Sequence, residues 1–201
     1  MMSDLVPIFG SKTKAQEILL LLHRAKEVVR QGFYAEELPL VEQFCAEKKI
    51  HVIKSRFKVL LTGDLFSDKG IRIHEHDAQR GMFFVYFSQD EEKAYLASYY
   101  ELTGKQQELG LLLGYPACCV DFFCSNFNEN KSNLEWPAEN PWTNLSLRIK
   151  DCVLLAHFPC HSACPESIAL AKYYFSVIQQ SDQEYANELQ KKLGLPLNGF
   201  S

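Results

Sequence analysis

Residues 51 to 61 read His51-Val52-Ile53-Lys54-Ser55-Arg56-Phe57-Lys58-Val59-Leu60-Leu61, and within them Ile53, Ser55, Phe57 and Val59 alternate with Lys54, Arg56 and Lys58. Successive side chains leave a strand on opposite faces, so a period of two over this length predicts a half-buried strand. That one stretch excludes an all-helical chain. Downstream, Ile71 to His76 repeats the pattern after a turn-rich link ending in Asp68-Lys69-Gly70, with Ile71 and Ile73 facing one way and Arg72, His74 and His76 the other. Met82 to Phe87 is a continuous apolar and aromatic run, as an internal strand covered on both faces requires. These runs predict a small antiparallel sheet of about three strands.

On either side of the sheet the period changes to that of a helix. Upstream, residues 14 to 31 place Ile18, Leu21, Leu22, Ala25, Val28 and Val29 on one face and end before Gly32, and a second helix follows from Glu36 to Lys49 with Pro39 in its first turn. From Asp90 onward helices are expected at Glu91–Leu102, Gln106–Leu113, Pro116–Phe127, Pro165–Gln179 and Gln183–Leu193, the last stopped by Gly194 and Pro196. The expected class is α+β: N-terminal helices with a small antiparallel sheet, then a mainly helical C-terminal half. A single domain over 1–201 is expected, with subdomains 1–102 and 103–201.

The chain has 201 residues, 47% apolar and 23% charged, enough to bury a core. A net charge of -4 argues against bulk attraction to nucleic acid or anionic lipid. The first sixteen residues lack a basic segment followed by an apolar one, and the apolar runs are too short to span a bilayer, so a cytoplasmic protein with no membrane contact is expected. In a reducing compartment seven cysteines read as thiols, ligands or catalytic groups rather than a disulfide framework.

Four of them fall in two short clusters: Cys118-Cys119 in GYPACC, and Cys160 with Cys164 in HFPCHSAC. Pro116 and Pro165 suit the first positions of helices, which puts Cys118 and Cys119 in a first turn and makes Cys164 an N-cap. Free amides and the positive helix end lower a thiol pKa there, so thiolates are expected in both clusters. If the clusters meet, they make a tetrahedral sulfur set for zinc or an iron-sulfur cluster. Adjacent cysteines diverge by about 100 degrees on a helix, which suggests that only one of Cys118 and Cys119 is a ligand. A three-cysteine site with an open position would be catalytic in character, and a closed set of four structural if zinc. His157 and His161 flank Cys160 as substitute ligands or acid-base groups, and Asp121, one turn after Cys118, is a candidate polar partner or general base. Ser162, Glu166 and Ser167 are candidates for capping or for hydrogen bonds to sulfur. Cys45, Cys124 and Cys152 read as small hydrophobes inside apolar helices.

Between the clusters, Asn128 to Asn144 has no usable period and carries both tryptophans, Trp136 and Trp142, either as pins holding a long connection to the core or as a lid. On the sheet, Lys54, Arg56, Lys58, Arg72, His74 and His76 would share one cationic face if the first two strands are neighbours, a surface for phosphate, carboxylate, RNA or an acidic partner. No dinucleotide-binding, Walker, H-E-x-x-H or G-x-S-x-G signature occurs.

The stretches Leu113 to Phe123 and His157 to Cys164 resemble the signature of an uncharacterised prokaryotic family, a domain of unknown function with G-Y-P-x-C-C and H-x-P-C-x3-C motifs. The likeness covers about residues 109 to 175 and implies that these cysteines are a shared module. The leading expectation is a metalloprotein holding an iron-sulfur cluster or zinc through Cys118, Cys119, Cys160 and Cys164, the cluster preferred because adjacent cysteines in aromatic surroundings suit it, with His157 and Asp121 as acid-base groups if it modifies a small molecule or nucleotide. Two alternatives stay open: a metal-free thiol oxidoreductase, and a non-catalytic zinc-stabilised module that binds RNA or an acidic partner through the cationic sheet.

Overall fold

The computed structural model describes residues 1–61, 70–127 and 134–196. Twelve regular elements run in the order α1 (Met2–Phe9), α2 (Lys12–Leu22), β1 (Val28–Phe33), α3 (Leu38–Glu47), β2 (His51–Leu61), β3 (Gly70–His74), β4 (Met82–Ser88), α4 (Glu91–Thr103), α5 (Gln106–Leu112), α6 (Ala117–Asn126), α7 (Pro165–Ser181) and α8 (Gln183–Leu193). The class is α+β. The turn at Asp68-Lys69 and the 128–133 part of the tryptophan-bearing connection lie outside the described residues.

The sheet has four antiparallel strands in the order β1-β4-β2-β3. The additional strand is β1, which the sequence places at the end of a helix. That helix stops at His23, where Arg24 takes a positive φ of 59° and the Ala25 amide donates back to the Leu20 carbonyl. Val28 and Val29 are β-branched and fully buried, and they fit a pleated strand better than a helical stripe. Gly32 closes no helix; it sits on β1, where an added Cβ would lie 3.3 Å from the Met82 Cε, a tight contact with the flexible end of that side chain.

The chain divides into two compact units, and the division follows contacts rather than the 1–102 and 103–201 halves. One unit holds Lys26–Gly114: the sheet with α3, α4 and α5. The other holds Met1–Ala25, Tyr115–Asn126 and the chain from Leu134 on.

In the sheet unit the register decides the fate of the cationic residues. Val59 pairs with Arg72 and Phe57 with His74, whereas Lys58 pairs with Ile73. Directly paired residues share a face, so Arg72 and His74 lie opposite to Lys58. The single cationic face is therefore split. On one side Arg72 stacks over Phe57 at 4.4 Å and its Nη2 meets the Glu101 carboxylate of α4 at 2.9 Å. Arg30 joins them, 4.0 Å over Phe84 and with Nε 2.6 Å from the same carboxylate, an ion contact without hydrogen-bond alignment. On the other side Lys54 lies 4.3 Å over Phe83, and Lys58 donates to the Asp77 and Gln79 carbonyls. His74 ends β3 and His76 stands in the turn beyond it, the two rings 5.2 Å apart.

In the other unit, a segment near 151–155 is fastened to the helices before it reaches the second cysteine cluster. Asp151 accepts from the Lys12 and Thr13 amides at the start of α2. Gln16, only 1% exposed, donates to the Val153 carbonyl at 3.1 Å and accepts from Tyr185 Oη of α8 at 3.0 Å. Around these polar contacts Phe9, Ile18, Leu154, Leu155, Ile178 and Leu189 are buried as the core. The Gln16 amide satisfies a carbonyl that an irregular segment would otherwise leave unpaired, and the Asp151 carboxylate takes up free amides at the start of α2.

Candidate metal centre

Two helix starts and one loop bring the four cysteines together. Pro116 precedes α6 and accepts the Cys119 and Val120 amides through its carbonyl, so it caps the helix and leaves Cys118 and Cys119 in the first turn. Pro165 opens α7 with Cys164 as the N-cap, and the Cys164 amide donates to the His161 carbonyl, closing a turn that starts directly after Cys160. The Cys118, Cys119, Cys160 and Cys164 sulfurs all lie within 4.8 Å of one another. Three of the separations are short: Cys118 to Cys119 is 3.8 Å, Cys118 to Cys164 is 3.8 Å and Cys119 to Cys164 is 3.7 Å.

Both members of the adjacent pair thus stand in the set, as the four-cysteine reading has it, despite their divergence around the helix. Side chains at a helix start tilt toward the N-terminus, so two that diverge around the axis still meet at a point beyond the helix end. Cys118 is exposed and Cys160 half-buried, whereas Cys119 and Cys164 are buried.

Around the sulfurs the polar partners are few and specific. Ser167, fully buried one turn into α7, has its Oγ 3.2 Å from the Cys119 Sγ and 2.9 Å from the His157 Nε2. The Cys160 amide donates to the Cys119 Sγ at 3.3 Å. The His157 ring is buried and packs against the Tyr115 ring, centroids 5.0 Å apart. His157 therefore reaches the sulfurs through Ser167. Asp121 is exposed on α6 and stands outside the close set, and His161 is exposed as well. Of the three residues weighed for capping or for bonds to sulfur, Ser167 takes the sulfur role; Ser162 instead donates to Glu139 at 2.9 Å.

Of the thiolates expected at the two clusters, Cys164 follows the expectation and Cys119 and Cys160 depart from it. Burial disfavours the Cys164 thiolate, yet hydrogen bonds from Ser167 and from the neighbouring Cys160 and Cys119 thiols outweigh it and bring the thiol down to about 7. Burial pushes the Cys119 thiol up and raises Cys160 to about 11, with neighbouring sulfurs adding to the rise. At Cys119 and Cys160 helix amides and dipole are weaker than desolvation, whereas Cys164 ionises more readily than an ordinary thiol.

The tryptophan connection fastens this loop. Trp136 donates from its indole to the Pro159 carbonyl at 3.0 Å and packs against Phe122 of α6, centroids 5.9 Å apart. Trp142 is buried edge-on against Phe175, and Thr143 donates to the Ser162 carbonyl. Within the described residues both tryptophans act as pins. Of the other cysteines, Cys45 is buried on α3 as expected, Cys152 is buried but in an irregular segment rather than a helix, and Cys124 is exposed on α6.

The donor set suits a single metal ion. A tetrahedral zinc with bonds of about 2.3 Å to sulfur holds its ligands about 3.8 Å apart, the edge of the tetrahedron. The three short separations match that edge before any ion draws the sulfurs inward. No helix among the described residues is long and apolar enough to cross a membrane. No protein-family model, no curated protein and no solved structure matches the chain.

Proposed function

We propose that Cys118, Cys119, Cys160 and Cys164 hold one zinc ion as a closed four-thiolate centre, and that the protein is a zinc-stabilised module rather than an iron-sulfur redox enzyme. The supporting observation is the sulfur spacing of 3.7 to 3.8 Å. In a four-iron cluster each cysteine binds a different iron, so the sulfurs stand at the corners of a larger body; a two-iron cluster splits them into separated pairs. Three sulfurs one tetrahedral edge apart suit one ion. With all four positions filled by protein, no open site remains for a substrate, which favours a folding role. The ion would join the start of α6, the loop around Cys160 and the start of α7, segments that the Trp136, Thr143 and Phe123–Phe158 contacts also link. His157 becomes a positioning residue acting through Ser167, and Asp121 has no part in the centre.

One observation favours the metal-free oxidoreductase: the Cys164 thiol, lowered to about 7, stands beside other thiols. Its sulfur is nevertheless fully buried, and an attacking thiolate needs access to its substrate. The zinc reading accounts for both the lowered thiol and its burial.

The test is elemental analysis and a visible spectrum of untagged protein purified without oxygen, followed by cobalt(II) replacement. One zinc per chain, and cobalt bands typical of a tetrahedral sulfur set, are expected. Iron with inorganic sulfide would replace this reading with a cluster. A protein that carries no metal and takes up neither zinc nor cobalt would return the cysteines to free thiols.

A further inference from the structure

The four sulfurs are not equivalent, and the difference falls into pairs. Cys119 and Cys164 are 2% and 0% exposed, and both have hydrogen-bond partners outside the sulfur set: Cys119 the Cys160 amide and the Ser167 Oγ, Cys164 the Ser167 amide. Cys118 is exposed and Cys160 half-buried, and among the described residues their sulfurs have only other cysteine sulfurs as hydrogen-bond partners. A hydrogen bond to a metal-bound thiolate draws off its electron density and shields it, so the unbonded, solvent-facing pair keeps the nucleophilic character.

From this asymmetry we propose that Cys118 and Cys160 are a modification site, the oxidisable edge of the zinc centre, and that a peroxide joins them in a disulfide and thereby releases the metal. The proposal rests on the zinc reading above. The Cys118 sulfur, as the more exposed, attacks one peroxide oxygen; an S–O bond forms, the O–O bond breaks, and the departing hydroxide takes a proton and leaves as water. The Cys160 sulfur then attacks the Cys118 sulfenic acid; the S–S bond forms, the S–O bond breaks, and a second hydroxide leaves as water with a second proton. Two thiolates have lost two electrons and one hydrogen peroxide has become two waters. The two sulfurs start within 4.8 Å of each other, so this requires no long rearrangement of the loop. Cys119 and Cys164 remain reduced as two ligands, half of what a closed zinc site uses, and zinc departs into solvent. The centre then reports peroxide as the loss of a structural ion.

The experiment uses the full chain, loaded with zinc and counted for metal first, then titrated with hydrogen peroxide while a chelating dye follows released zinc. Remaining thiols are alkylated at acid pH and the peptides mapped by mass. One zinc released per Cys118–Cys160 disulfide is expected, with Cys119 and Cys164 recovered alkylated, and with zinc rebinding after reduction. A Cys124→Ser variant, which lacks the exposed thiol outside the centre, should behave the same. A first disulfide that includes Cys119 or Cys164, zinc retained after Cys118 and Cys160 are joined, or oxidation confined to Cys124 would each overturn the proposal. A chain that takes up no zinc overturns the centre itself at the counting step, and with it the release of metal; peptide mapping of that chain still decides whether Cys118 and Cys160 pair first.

Discussion

In the sheet unit a buried carboxylate, Glu101, meets two arginines, Arg30 at 2.6 Å and Arg72 at 2.9 Å; in the other unit the four cysteine sulfurs have as partners one another, Ser167 and a backbone amide. The first cluster brings its own counter-charges, and both guanidiniums also lie on aromatic faces, Phe84 and Phe57. Each added thiolate in the second would raise an uncompensated negative charge in a partly buried place, which is why burial holds the Cys119 and Cys160 thiols protonated. A polar cluster complete in its own charges reads as architecture, whereas one that can ionise only with a cation reads as a ligand site.

The largest effect should come from removing the cation. Structural zinc contributes on the order of 10 kcal/mol of apparent binding energy that is also folding energy. Chelation, or Cys164→Ala, is expected to strip the metal and deprotect the amides of α6 and α7 in hydrogen exchange, while those of β1, β2 and β4 stay slow. Equal loss in both regions would break the comparison. Next comes Glu101→Ala, which takes the carboxylate from Arg30 and Arg72 and should destabilise the protein by about 1–3 kcal/mol, less than for a fully buried network because Arg72 is half exposed. Its zinc content should be unchanged; loss of zinc in this variant would mean that the two clusters are not independent.

Acidity sharpens the contrast further. Burial raises the Cys119 and Cys160 thiols above their ordinary range, so both are protonated at pH 7 in the metal-free chain and must release protons to bind. Zinc affinity is therefore expected to fall as pH falls, by about tenfold per pH unit for each proton displaced, with at least these two contributing. Below about 7 Cys164 also becomes protonated and the slope steepens. Competition with a chelator of known affinity across pH 6 to 9 measures the slope, and a flat profile would contradict the thiolate set. The smallest effect is Ser167→Ala, expected to weaken zinc by about 10–100-fold, since it removes the hydroxyl that joins His157 to Cys119. A His157→Ala variant should show part of that loss with no change in metal stoichiometry. Complete loss of zinc there would instead make His157 indispensable to the centre.

Much of the local structure was legible because it depends on neighbours in sequence. The period of two over 51–61 matches β2 residue for residue, and the stops at Gly194 and Pro196 end α8 where expected. Val28 and Val29 show the limit: as apolar residues they extend a helical stripe, and only pairing with Ser88 and Phe87 shows that they are strand. The cationic face failed for a related reason. Alternation along a strand says which residues share its face, but the register between strands decides which faces coincide, and Val59 pairs with Arg72. Gln16 and Asp151, which fasten the segment leading to Cys160, carry no short-range signal because their partners lie 137 to 139 residues away.

By itself, then, the sequence determined that two cysteine clusters stand beside prolines at helix starts, since capping and proline geometry act within a turn or two. It determined as well that a twofold-period sheet sits within a helical chain. Tertiary structure alone decided that Cys118 and Cys164, 46 residues apart, bring their sulfurs to 3.8 Å, and that of four chemically identical thiols two are buried and hydrogen-bonded while two face outward. Such separations and exposures depend on how distant segments pack, and local propensity carries no information about them.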